Sequence, residues 1–183
     1  MGKYTAFLLI VLLSIVVGGY RVLQPPAVEP PSGGDFSLMG PQGVVDLADF
    51  REQVVVLYFG YTSCPDICPT SLAVLGQALA QLPESVAAQG LFISLDPARD
   101  TPRTLAEYTG FFHPRLLGVT GSPRQLAQVT RQYGVAYQIT ETEISHSSQF
   151  IVLDKQGQWR ETLPHGSLAQ DLARHIVQWW DAE

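Results

Sequence analysis

The chain has 183 residues, 46% hydrophobic and 15% charged, with eleven Lys and Arg against seventeen Asp and Glu for a net charge of −6. An acidic balance without a basic run argues against a nucleic-acid surface, which needs clustered Lys and Arg, and the length suits one domain burying roughly 68–70% of its unfolded surface. Two cysteines exclude a disulfide-dense scaffold and any four-thiolate zinc or iron–sulfur site.

Residues 1–23 read as a membrane segment. Tyr4 to Tyr20 carry no charge, are rich in Leu, Ile and Val, and are bounded by Lys3 and Arg21. This is near the lower limit of a bilayer span, for which about 20 residues are typical. A cleaved signal peptide is the alternative, but Gly18-Gly19-Tyr20-Arg21 offers only a loose small-residue cleavage site. A single transmembrane helix is therefore expected, with Lys3 and the amino terminus inside and the domain outside the cytoplasm. Residues 24–34 hold four prolines and end in Gly33-Gly34, a tether reaching roughly 30 Å at about 3 Å per residue.

Residues 35–183 alternate between strand and helix patterns. Val54 to Phe59 is a continuous apolar run ended by Gly60, as expected of a central strand covered on both faces. A helix follows the cysteines, with Leu72, Leu75, Leu79 and Leu82 on one face and Pro83 as its stop. Leu91 to Leu95 reads as the next strand. Thr101-Pro102 and Ser122-Pro123 each place a capping hydroxyl before a proline, predicting helices over 102–112 and 123–133. Phe150 to Leu153 is a third strand, and Asp154-Lys155-Gln156-Gly157 turns the chain into a fourth around Trp159. Ser167 and Gln170 have capping-box spacing for a last helix carrying Leu168, Leu172, Ile176 and Trp180. A parallel βαβ start followed by an antiparallel hairpin and a final helix predicts a thioredoxin-like α/β domain.

The chemistry concentrates in Cys64-Pro65-Asp66-Ile67-Cys68-Pro69, at the junction of the central strand and its helix. Pro69 lacks an amide hydrogen, so the regular helix is expected to start near it, with both sulfurs close to the positive end of the helix dipole and biased towards thiolate. The pair admits three readings. A structural disulfide would close only a tiny loop, with a small entropic return. A redox dithiol would carry one residue more than the usual Cys-x-x-Cys. A metal site would pair two soft thiolates with an imidazole, a set suited to copper, whereas zinc would want a fourth ligand. Among four histidines, His113 ends a predicted helix, His165 sits in a turn between Pro164 and Gly166, and His175 lies inside the last helix. His146 directly precedes the third strand, whose pairing beside the central one would turn this loop towards the cysteines.

Tyr58-Phe59-Gly60-Tyr61-Thr62-Ser63-Cys64-Pro65-Asp66-Ile67-Cys68-Pro69 resembles the signature of the Sco/SenC copper-binding proteins. Leu95-Asp96-Pro97-Ala98-Arg99-Asp100-Thr101-Pro102 is similar to their second motif, Val119-Thr120-Gly121-Ser122 to their strand-to-helix turn, and Ser145-His146-Ser147 before Phe150 to Asp154 to their histidine segment. By itself the second motif reads as helix capping by Thr101 among solvated charges. The resemblance covers roughly residues 35–180. It implies a membrane-anchored thioredoxin-like domain that binds one copper, as Cu(I) or Cu(II), through Cys64, Cys68 and His146. It further implies delivery to, or thiol maintenance of, the binuclear copper (CuA) site of cytochrome c oxidase.

Thioredoxin-like redox enzymes keep a proline opposite their cysteines. Here no proline occurs between Pro123 and Pro164, and the histidine segment falls in that gap, which tilts the balance towards metal. Ser145 departs from the family pattern, which often has Asp before the histidine to orient it; Glu141 or Glu143 are candidates to substitute. Asp66 is a candidate for tuning the thiols or steering a partner, or else a favourable acid in a first helical turn. Tyr61 and Thr62 are candidates for a docking face, with Tyr61 alternatively continuing the core. The rival functions are a thiol–disulfide reductase, with Cys64 attacking and Cys68 resolving, and a copper or redox sensor. Expected partners are the oxidase copper-site subunit, another periplasmic copper chaperone or a thioredoxin-like reductant. A short anchor without an Arg-rich transit segment fits a bacterial inner membrane with the domain in the periplasm.

Overall fold

The computed structural model describes residues 32–139 and 144–182, in the second of two units, Met1–Pro30 and Pro31–Glu183. The expected membrane segment, most of the tether, and Glu141 and Glu143 lie outside the described residues. A hairpin that hydrophobic patterning does not announce comes first, β1 (Ser37–Gly40) and β2 (Gly43–Asp46). The remaining elements are β3 (Val54–Gly60), α1 (Ile67–Ala80), β4 (Ala88–Ser94), α2 (Pro102–Phe112) and β5 (Leu116–Val119), then α3 (Pro123–Gln132), β6 (Tyr137–Ile139), β7 (Ile144–His146), β8 (Gln149–Leu153), β9 (Trp159–Pro164) and α4 (Ala169–Asp181). The main sheet runs β5-β4-β3-β8-β9, with β3, β4 and β5 mutually parallel and β8 and β9 antiparallel to their neighbours. This is the expected α/β layout, and the apolar run at Val54 is its central strand.

Every residue of β3 is buried, because the period-2 alternation of a strand feeds two cores at once. Val55, Leu57 and Phe59 face Leu38, Leu126, Val129 and Tyr133. Val54, Val56 and Tyr58 face Leu72, Leu75 and Leu79 of α1, Leu105 of α2, and Leu172 and Ile176 of α4. Each fully buried leucine of that second cluster contributes about 1.5–3 kcal/mol of transfer free energy.

Both proline-started helices are capped as expected. Thr101 Oγ1 accepts the Thr104 N–H at 3.2 Å, and Ser122 and Gln125 make a reciprocal capping box. The box expected at Ser167 and Gln170 does not form. The Ser167 hydroxyl donates instead to the Pro164 carbonyl at 2.8 Å, closing the turn after β9, and the last helix starts later, with Leu168 in the N-cap position.

The topology places the site. β8 pairs antiparallel with β3, Tyr58 opposite Phe150, so the chain enters β8 where β3 ends. Whatever precedes β8 is thereby brought beside whatever follows β3, namely the histidine segment beside the cysteine turn.

Candidate metal centre

The site begins at Gly60, the last residue of β3. A Cβ there would lie 2.7 Å from Cys68 Sγ and 2.8 Å from Phe92 Cε2, so glycine is what allows the sulfur to pack against the end of the strand. The turn that follows is closed by the Cys64 N–H donating to the Tyr61 carbonyl at 3.3 Å. α1 then begins at Ile67, with Asp66 in the N-cap position and Pro69 inside the first turn. The expected start near Pro69 is therefore two residues late. Proline is tolerated there because the first N–H groups of a helix have no intrahelical partner to lose.

The two sulfurs stand in different environments. Cys64 is half-buried and Cys68 buried, and both are free thiols. Burial pushes the Cys64 thiol up, but backbone hydrogen bonds from Cys68, Asp66 and Ile67, together with the neighbouring Cys68 thiol, outweigh it and leave the pKa lowered. Cys68 is pushed up to about 12 by burial, reinforced by Cys64, with the Tyr61 backbone and the Tyr58 hydroxyl opposing. The expectation of two thiolates at a helix terminus thus holds in direction for Cys64 alone. Cys68 lies at 0% exposure in the core that α1 covers, and desolvation overrides the dipole there.

His146 ends β7, which pairs antiparallel with β6, Tyr137 opposite His146. It is a strand residue, not the loop residue expected from sequence. Along β7 the buried Ile144 alternates with the exposed Ser145, so His146 turns inward with Ile144. Its Nδ1 lies 3.1 Å from the Ser147 carbonyl, an acceptor only, so Nδ1 carries the proton and Nε2 presents a lone pair. Nε2 is 3.8 Å from Cys68 Sγ, within hydrogen-bonding range of a sulfur. Burial lowers the His146 pKa, opposed by the Ser147 carbonyl, so the ring is neutral near neutral pH. The Tyr61 ring meets the imidazole edge-on, 6.0 Å between centroids.

Tyr61, Cys64, Asp66, Ile144, Ser145 and His146 line one cleft of about 270 Å³. Among the described residues, no group of three or more His, Cys, Asp or Glu side chains stands in metal-ligating geometry. Tyr61 is 9% exposed and belongs to the core, the second of its two expected roles. Asp66 is exposed, and its side chain makes no capping hydrogen bond. His113 caps the end of α2, its Nδ1 accepting the Arg115 N–H at 3.0 Å. His165 is exposed in its turn, and His175 pairs with Glu161 at 2.9 Å. Of the charges of the second motif, Arg99 is solvated as expected, but the two acids are not: Asp96 is 6% and Asp100 1% exposed. Gly60, Tyr58, Ile144 and Ser148 lie at the site, and Asp100 holds Thr62 beside it, without a site role expected from sequence. Only the β3-like context of the glycine hinted at a close approach.

Residues 25–181 match the family model SCO1/SenC. Protein SCO2 homolog, mitochondrial, of Bos taurus is 43% identical over 153 residues, 78% of this chain and 58% of that protein. The chain spans about three-fifths of the length of the curated relatives it matches. Arabidopsis thaliana ScoI, solved with copper bound, superposes with a TM-score of 0.75 at 35% identity, covering 80% of this chain and 96% of that one. Yeast Sco1, also solved with copper bound, gives 0.74 at 31%, covering 84% and 91%. With the family model spanning the cysteine turn, the second motif and the histidine strand in one continuous match, the chain belongs to the SCO1/SenC family.

Proposed function

We propose that this protein binds one copper ion through Cys64 Sγ, Cys68 Sγ and His146 Nε2 and supports assembly of the CuA site of cytochrome c oxidase. The observation that carries the reading is the lone pair of His146 Nε2 facing Cys68 Sγ across 3.8 Å, at the cleft that Cys64 lines. Two sulfurs and a neutral imidazole are the donor chemistry that Cu(I) prefers and that also holds Cu(II). With both thiols deprotonated the site carries a formal charge of −1 around Cu(I) and zero around Cu(II). Binding releases the thiol protons, and the metal takes the place of the Cys68–His146 contact already present. A three-donor set on an open cleft suits hand-over, because an acceptor's ligand enters before a donor's leaves.

In this reading the domain stands outside the cytoplasmic membrane on its tether, facing the periplasm. Its cargo passes to the oxidase copper-site subunit and arrives from another copper carrier, while a thioredoxin-like reductant keeps the thiols reduced. Anaerobic titration of the reduced chain with Cu(I) is the test. One equivalent binds, and Cys64→Ser or Cys68→Ser abolishes binding. His146→Ala weakens it by more than the about 10–100-fold that outer partners of a ligand control, while His165→Ala leaves it unchanged. Full-strength binding to His146→Ala would remove the histidine from the site.

The inequality of the sulfurs favours one second reading, a thiol–disulfide reductase. Cys64 is the partly exposed, more acidic thiol of an attacking group, and Cys68 the buried one of a resolving group. A Cys64/Cys68 potential near −270 mV, about that of thioredoxin, with turnover on protein disulfides, would decide for it.

A further inference from the structure

Past Gly60 the pairing of β3 with β4 runs out, its last bond being the Leu95 N–H to the Gly60 carbonyl at 2.8 Å. The next tie between these segments is made by a side chain. Asp100 Oδ2 accepts the Thr62 backbone N–H at 2.9 Å, and Asp100 Oδ1 accepts the Thr62 hydroxyl at 2.5 Å. The Ser94 hydroxyl donates to Oδ2 at 2.5 Å. The carboxyl is itself held from behind, the Asp100 N–H donating to the Asp96 carbonyl at 2.9 Å and the Asp96 N–H to Ser94 Oγ at 3.1 Å.

Helix capping does not need this arrangement, because Thr101 already caps α2. Placing a carboxyl at 1% exposure costs several kcal/mol unless it is fully hydrogen-bonded. All three of its side-chain bonds go to residues flanking the cysteine turn, two of them to Thr62, two residues before Cys64.

We propose that Asp100 is a positioning residue for copper binding: its two-point grip on Thr62 sets the direction in which the chain leaves β3, and so where Cys64 Sγ stands relative to Cys68 and His146. The proposal rests on the copper reading above. Ligands must be held to within about 0.5 Å to act together, and the irregular stretch from Tyr61 to Asp66 has no strand or helix to do it.

The test uses the full chain in four variants. Thr62→Val keeps the shape and the backbone bond but removes the hydroxyl donor. Asp100→Asn keeps the shape but replaces one acceptor oxygen with a donor amide facing donors. Thr62→Ser retains the hydroxyl, and Ser122→Ala, at a residue that shares a pocket with Asp100 but whose hydroxyl bonds Gln125, lowers stability by removing the cap of α3. Cu(I) affinity is measured against a chromophoric chelator, with the Cu(II)–thiolate absorption band and the melting temperature of the copper-free protein alongside. Thr62→Val and Asp100→Asn each weaken copper binding about 10-fold, within the range that outer partners of a metal ligand control, and shift the band. Thr62→Ser and Ser122→Ala retain wild-type affinity and band.

Wild-type affinity and band in Thr62→Val would overturn the proposal, even where Asp100→Asn fails to fold. So would an equal loss in Ser122→Ala at equal loss of stability. A wild-type chain that binds no copper overturns the copper reading itself, a result seen before any substitution is made.

Discussion

At the scale of single residues, the two proposed sulfur ligands differ in acidity. Cys68, raised to about 12 by burial, enters binding as a thiol and must release its proton, whereas Cys64 has its pKa lowered. On the copper reading, apparent Cu(I) affinity rises at least about tenfold per pH unit between pH 7 and 8, at least one proton leaving per ion bound. Chelator competition at a series of pH values checks the slope. His146 competes for protons only in acid, since its pKa is depressed below 6.5.

The same shift bears on stability without metal. Cys68 binds its proton more tightly folded than unfolded, so its contribution is fully present below about pH 9 and is lost as pH rises towards about 12. The loss is at most about 1.4 kcal/mol per pH unit for one proton. The buried Tyr58, Tyr108 and Tyr133 hydroxyls, all raised by burial, add to the decline above pH 10. Urea unfolding of the reduced protein at pH 8 and pH 10 measures it, and Cys68→Ser removes the part that begins near pH 9.

At the scale of elements, the ends of strands and helices decide what the site is. β3 stops at a glycine whose missing Cβ leaves the space that Cys68 Sγ occupies. Gly60→Ala forces the sulfur or the Phe92 ring to move, costs about 1–3 kcal/mol as overpacking, and weakens copper binding while the secondary structure persists. Thermal unfolding and Cu(I) titration of that variant test both halves. Ser122→Ala, by contrast, removes a cap outside the cleft that Cys64 and His146 line and costs about 1 kcal/mol, which denaturant unfolding resolves.

The histidine strand shows how an element does the work that a side chain was expected to do. Ser145 is exposed, and the orientation of His146 comes from the adjacent Ser147 carbonyl, 3.1 Å from Nδ1. An acidic residue at position 145 is not needed to fix the tautomer, because a backbone acceptor fixes it.

For the molecule as a whole, residues 35–183 hold nine basic and sixteen acidic groups, a net charge of −7. Among the described residues no helix is long and apolar enough to cross a membrane, and attachment through residues 1–23 is a proposal that a deletion tests. Deleting residues 1–23 is expected to move the protein from the membrane fraction to the soluble one while copper stoichiometry stays at one. Fractionation followed by metal analysis reads both. A deletion that remained membrane-bound would place the attachment elsewhere.

The sequence by itself named Cys64, Cys68 and His146 as candidate ligands, the histidine chiefly through the family resemblance, and it determined the central strand, the helix behind the cysteines and the two proline-started caps. Those features are written in local periodicity and in residue type, which need no distant partner to be read. It expected two like thiolates, placed the start of α1 two residues late, took the acids of the second motif as solvated, and did not show what orients His146. The tertiary structure decided these, because each turns on desolvation or on a hydrogen bond between segments far apart in the chain. Thr62 meets Asp100 across 38 residues and Cys68 meets His146 across 78. The two cysteines that composition could only count became unequal once the fold buried one and left the other at the rim of a cleft.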